Sequence, residues 1–181
     1  MKKYFKLLIV PVVFFALTLL VSTNAEAVRT PAIVVDDDAV ECPDADYATI
    51  ADAVAAAIDG DRIHLCDGYY NGVELDKTIH FKGLGDEPGD VYIQNGPTHS
   101  SGLIQGFRLL AGSDGSSFEG LWIQLDLGIM NGDGVDDVVV YNNYFVNNIQ
   151  AISNWRGDNW SIAHNTIDGL RTACGGGIGI L

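Results

Sequence analysis

Three short segments of the chain are spaced 22 residues apart: Ser117 to Ile123, Val139 to Phe145, and Ser161 to Ile167. Phe118, Val140 and Ile162 share one apolar column, and Ile123, Phe145 and Ile167 share a second. Asn143 and Asn165 share a polar column that begins at Leu121. A repeat of this length, built of short strands and turns, is the signature of a stacked solenoid, because one coil cannot bury its own apolar face and the next must cover it. The asparagine column has a structural reason. Where a chain turns sharply between two sheets, an inward Asn bonds backbone groups of its own turn and the Asn of the next coil. The alternative, sugar ligation by Asn143 and Asn165, needs them to face outward.

The N-terminus reads as an export signal. Lys2, Lys3 and Lys6 precede an apolar run from Leu7 to Val21, and Ala25-Glu26-Ala27 is a small-x-small cleavage site. Residues 1–27 are therefore expected to be a signal peptide and 28–181 one domain, secreted, periplasmic or on the cell surface. The apolar run is shorter than the ~20 residues a membrane span needs and is interrupted by Pro11, so no span is expected after cleavage. The chain carries 24 acidic and 10 basic residues, a net charge of −14. Such a surface repels phosphate backbones and anionic lipid, which argues against nucleic acid as a partner. An acidic polysaccharide can approach only through a local basic patch or bridging cations.

Ile50, Val54, Ala57 and Ile58 fall at i, i+4, i+7 and i+8, which predicts a helix over residues 47–58. Thr49 with Asp52 has the pattern of a capping box, and Gly60 is placed to end the helix. Short strands are expected before the acidic run Asp36 to Asp38, and at Arg62 to Cys66, Val73 to Leu75 and Thr78 to Phe81. Cys42 and Cys66 flank this helix-to-strand unit and are expected to be joined by a disulfide, which export permits. Cys174 stands apart, and no C-x-x-C spacing points to zinc.

Tyr47 to Val54, Asp59 to Leu65, Asp67 to Tyr70 and then Gly83-Leu84-Gly85 resemble the opening of right-handed parallel β-helix proteins of the pectate-lyase-like superfamily. The resemblance runs over residues 33–181. It implies an all-β fold, a right-handed parallel β-helix whose N-terminal α-helix caps the open end of the stack. Ile58-Asp59 departs from the common Pro-Gly approach of that pattern. The superfamily contains lyases, esterases, polygalacturonases, epimerases, tailspikes and surface proteins without known chemistry, so the fold does not choose an activity. A polygalacturonase-like site wants Asp-Asp together with Gly-His-Gly and Arg-x-Lys. Asp136-Asp137 is present and the other two motifs are not, which leaves paired-carboxylate hydrolysis poorly supported. A lyase-like site wants a base beside a uronate carboxyl that Ca²⁺ or an arginine neutralises. Arg156 and Arg171 are the basic residues of the last three coils, and neither lies in a lyase motif. Asp136, Asp137 and Arg156 stand as the weak catalytic candidates.

Asp114, Asp136 and Asp158 also recur at the 22-residue offset. Strands stacked in register lie ~4.8 Å apart, and carboxylates in such a column invite a hard cation such as Ca²⁺. The alternative is that each Asp bonds its own turn amides and faces water. Residues 131–137 look like part of a calcium loop but lack the first ligand, because Ile129 stands where an Asp is needed; a tight Gly-rich turn is the expectation. Trp122 and Tyr144 share a column next to the inward Ile123 and Phe145, so strand alternation points them outward. With Trp155 in the next loop, they form the candidate carbohydrate-binding set, and Thr166 ends their ladder.

The last residues, Ile178 to Leu181, read as an unfinished strand. Terminal repeats normally carry caps, so the expectation is that more coils follow; the alternative is association through that edge. Together these readings predict an exported β-helix protein that contacts a polysaccharide or another cell-surface component. The alternatives are a calcium-assisted polysaccharide lyase or related enzyme, and a structural or adhesive surface protein.

Overall fold

A computed structural model describes residues 31–87, 89–172 and 177–181. In chain order they form β1 (Ile33–Val35), α1 (Ile50–Ala56), β2 (Asp61–Leu65), β3 (Gly68–Asn71), β4 (Glu74–Leu75), β5 (Ile79–Gly83), β6 (Val91–Asn95) and β7 (Gln105–Leu109). Nine more strands follow: β8 (Ser117–Glu119), β9 (Trp122–Ile123), β10 (Leu127–Asn131), β11 (Val139–Tyr141), β12 (Tyr144–Val146), β13 (Gln150–Ser153), β14 (Ser161–Ala163), β15 (Thr166–Asp168) and β16 (Ile178–Ile180). The expected signal peptide and Cys174 lie outside the described residues.

The strands assemble into three sheets, β1-β2-β5-β8-β11-β14, β3-β6-β9-β12-β15 and β4-β7-β10-β13-β16. From β2 onward the chain visits the three sheets in rotation, and every paired strand is parallel to its partner. After β1, no named strand pairs with the next one in sequence; each pairs with the strand one circuit away. This arrangement is compatible with the coil stack that the 22-residue repeat implies.

Period-two alternation then builds the core. On the first sheet Ile63, Phe81, Phe118, Val140 and Ile162 are aligned by register, and on the second Tyr70, Ile93, Ile123, Phe145 and Ile167. The third sheet contributes Phe107, Ile129 and Ile152. All belong to or pack against one buried cluster. Phe81, Phe107 and Phe118 meet at its centre, with ring centroids 4.9 to 5.5 Å apart. Burial of each such ring stabilises the fold by roughly 2–3 kcal/mol.

The corner between the first and second sheets is made the same way in three coils. Gly120, Asn142 and His164, again 22 residues apart, all have left-handed φ, at 71°, 53° and 57°. The residue after each is the polar column. Asn143 is fully buried; its Oδ1 accepts from Leu121 N–H at 3.0 Å, and its Nδ2 donates to the carbonyls of Phe118 and Tyr141. Asn165 repeats the pattern, with Nδ2 donating to Val140 O at 2.8 Å. The asparagines are thus turn-forming and inward.

Helix α1 starts as its sequence dictates: Thr49 Oγ1 accepts from Asp52 N–H at 3.1 Å. Ile50, Ala53, Val54 and Ala57 join the core, and α1 packs against β1 and β3. Gly60 does not end this helix. The helix stops at Ala56, Ala57 is already extended, and the left-handed Gly60 instead shapes the turn into β2. Cys42 and Cys66 are joined by a disulfide, with Cα atoms 6.3 Å apart.

Candidate functional site

The outer face of the second sheet carries an aromatic strip. Because Tyr70, Ile93, Ile123 and Phe145 point inward, the residue before each points out. Register therefore aligns Tyr69, Tyr92, Trp122, Tyr144 and Thr166 across β3, β6, β9, β12 and β15. Trp122 and Tyr144 stack with planes 9° apart and centroids at 5.6 Å. Tyr69 and Tyr92 meet at the same distance, tilted by 53°. Tyr69 is 64% exposed, whereas Tyr92, Trp122 and Tyr144 are half-buried. Burial, and then the neighbouring Tyr69, push the Tyr92 hydroxyl above its ordinary pKa. The strip is thus four rings long. It ends at Thr166 as the sequence indicates, but extends two coils in the other direction. Tyr69 and Tyr92 escape the periodic reading because they lie 23 and 30 residues from their successors. Their signal is local: Gly-Tyr-Tyr and Val-Tyr-Ile each place a tyrosine before an inward residue.

Trp155 lies elsewhere. It sits in the loop between β13 and β14, is 59% exposed, and lines a groove of about 370 Å³ on the third sheet. Leu127 and Met130 are among the apolar residues of this groove, with Gln105, Gln150 and Arg108 among its polar ones. Gly128 makes that shape possible: an added Cβ would strike Ala151 O and come within 2.8 Å of the Phe145 ring. Without a side chain at Gly128, β10 lies close against Phe145 and Ala151, and Leu127 and Met130, three residues apart, both line the groove. Gln105 is buried, and among the described residues neither Gln105 Nε2 nor Gln150 Nε2 has a hydrogen-bond partner. Arg108 is held by Glu74 at 2.9 Å. Sequence reasoning missed this groove, since nothing in its residue types marks it and its lining residues come from distant parts of the chain.

The Asp column forms a ladder of a different kind. Asp114 Oδ1 accepts from Asp136 N–H at 2.9 Å, and Asp136 Oδ1 accepts from Asp158 N–H at 2.7 Å. The Asp114 and Asp136 carboxylates therefore satisfy the amide of the next coil rather than their own turns. Among the described residues, the carboxylates that gather three oxygens within 4.8 Å of one another are those of Asp36, Asp38 and Glu41. Asp36 there accepts from Asp38 N–H and Cys42 N–H, which accounts for both its oxygens. Asp137 and Arg156 sit at exposed turn positions with left-handed φ, at 60° and 67°. The segment 131–137 is a side-chain-closed turn: Asn131 Oδ1 accepts from Gly134 and Val135 N–H, and Nδ2 donates to Val135 O.

No family model, curated protein or solved structure matches the chain.

Proposed function

We propose that the chain is an exported right-handed parallel β-helix protein of the pectate-lyase-like kind, with α1 capping the stack, that contacts extracellular or cell-surface polysaccharide through its aromatic strip. The alignment of Tyr69, Tyr92, Trp122 and Tyr144 on one outer face carries this reading. Three half-buried rings and the exposed Tyr69 in one line form an aromatic track, which suits a chain of sugar rings with apolar faces and hydroxyl edges. The fold assignment is supported by the rotation through three parallel sheets and by the asparagine corners. Export is supported by the Cys42–Cys66 disulfide, a bond that persists in oxidising compartments. No helix among the described residues is long and apolar enough to cross a membrane.

Affinity electrophoresis in gels containing neutral and acidic polysaccharides tests the reading. Trp122→Ala with Tyr144→Ala is expected to abolish the retardation that the unaltered protein shows. Retardation that survives both substitutions would overturn it.

A second reading, a carbohydrate-active enzyme, is favoured by the groove on the third sheet. Gln105 and Gln150 line it, and each buries an amide nitrogen without a hydrogen-bond partner, at a cost of about 1–3 kcal/mol per donor that turning the side chain toward a bound acceptor would remove. Formation of unsaturated, ultraviolet-absorbing products from pectate, alginate or glycosaminoglycans, dependent on calcium, would establish it as a lyase.

A further inference from the structure

One part of this acidic surface has the opposite sign. On the outer face of the first sheet, register places Arg62 of β2 beside His80 of β5, and His64 beside Lys82. The next strand, β8, sets Ser117 beside His80 and Glu119 beside Lys82. These six side chains line a shallow cavity of about 600 Å³.

Of the four other lysines and arginines among the described residues, three have intramolecular tasks, and Arg156 is exposed at the turn after β13. Lys77 donates to the carbonyls of Val54 and Ala57 after α1, Arg108 pairs with Glu74, and Arg171 pairs with Asp126. On the first sheet, by contrast, two fixed cations and two histidines face one carboxylate, Glu119. It lies 3.4 Å from Lys82 Nζ, and both partners are nearly half-exposed. A pair so open to water is weak and exchanges readily for another anion. Burial, then Lys82 and Arg62, hold the His64 pKa below its ordinary value, with Glu119 opposing, as expected where positive potential collects. By strand spacing and rise, the Cα atoms of Arg62 and Lys82 are about 8 Å apart, within reach of one acid group for two long side chains.

We propose that this face binds an anionic glycan, seating its carboxylate or sulfate groups between Arg62 and Lys82. His80, fixed by a 3.0 Å hydrogen bond between Nδ1 and Ser117 Oγ, borders the seat. The proposal rests on the polysaccharide reading above and names the charge class of the polymer. A guanidinium offers planar, paired donors to a carboxylate or sulfate. Because the rest of the protein repels polyanions, attachment is confined to this patch and falls with ionic strength.

Titration calorimetry of the full chain with polygalacturonate, dextran sulfate and neutral dextran tests it, and the two polyanions separate a carboxylate seat from a sulfate seat. Binding of at least one polyanion is expected, weakened about tenfold by Arg62→Gln with Lys82→Gln, and tightened by Glu119→Gln, which frees Lys82. Polyanion affinity unchanged in both variants would overturn the proposal, as would binding that requires added calcium and ignores them. Dextran binding without any response to the polyanions would overturn the patch and leave the aromatic strip standing. Polyanion binding lost in the Arg62/Lys82 variant but kept after Trp122→Ala with Tyr144→Ala supports the patch and removes the strip.

Discussion

Asn165 Oδ1 accepts twice from Asn143, from its backbone N–H at 2.9 Å and from its side-chain Nδ2 at 3.1 Å. Asn143 in turn accepts from Leu121 N–H and donates to Phe118 O. Each corner is therefore completed by the side chain of the next coil. Asn143→Ala strands a buried donor and a buried acceptor at once, each costing about 1–3 kcal/mol. A loss of about 4 kcal/mol is expected in urea unfolding, and about half that for the half-exposed Asn165→Ala.

The Cys42–Cys66 bridge spans 24 residues of chain. By loop-closure entropy, Cys42→Ser with Cys66→Ser is expected to cost about 3 kcal/mol. Scanning calorimetry should show the melting temperature falling by about 10 °C.

His64 gives a pH signature. Its folded pKa is depressed, so the folded state holds fewer protons than the unfolded chain just below the ordinary histidine value, 6.5. The His64 contribution is fully present above that value and is lost as pH falls through the depressed folded pKa. Stability measured between pH 7.5 and 5 should therefore fall less steeply in His64→Gln than in the unaltered protein. Equal slopes would remove His64 as a cause.

Asn142 holds a left-handed φ of 53° at the corner before the asparagine column. Asn142→Val should destabilise by about 1–2 kcal/mol, because a β-branched side chain resists that conformation. Asn142→Gly should stay within a few tenths of the parent. Thermal melts of the two variants separate conformational strain from lost contacts.

If the aromatic strip acts as one track, Tyr92→Ala should reduce polysaccharide retention although it lies outside the 22-residue repeat. Tyr69→Ala, at the exposed end of the strip, should have the smaller effect. Retention that depends on Trp122 and Tyr144 alone would shorten the track to two coils.

What could be read in advance was local or periodic. Phe118, Val140 and Ile162 align as their spacing requires, and Thr49 caps α1. The same spacing failed upstream, where Asp61 pairs with Ile79 and His80 with Ser117, separations of 18 and 37 residues. Those unequal circuits hid Tyr69 and Tyr92, and also hid that Arg62, His64, His80 and Lys82 share a face. Gly60 was misplaced because α1 ended four residues earlier, without a glycine. The groove was invisible because it depends on how closely β10 packs at Gly128 against Phe145 and Ala151, a contact that no residue pattern announces.

Circuits of 18, 37 and 22 residues all return the chain to the same sheet, one rung on. Position along the backbone is thus decoupled from position in the pile, and surplus length is carried outside it, as in the excursion from Pro97 to Ile104 that Thr98 and Ile104 pin at its base. Such a molecule can be lengthened or trimmed at its bends without disturbing its interior. That makes the Ser100–Gly102 tip the natural place to graft a foreign peptide or an epitope.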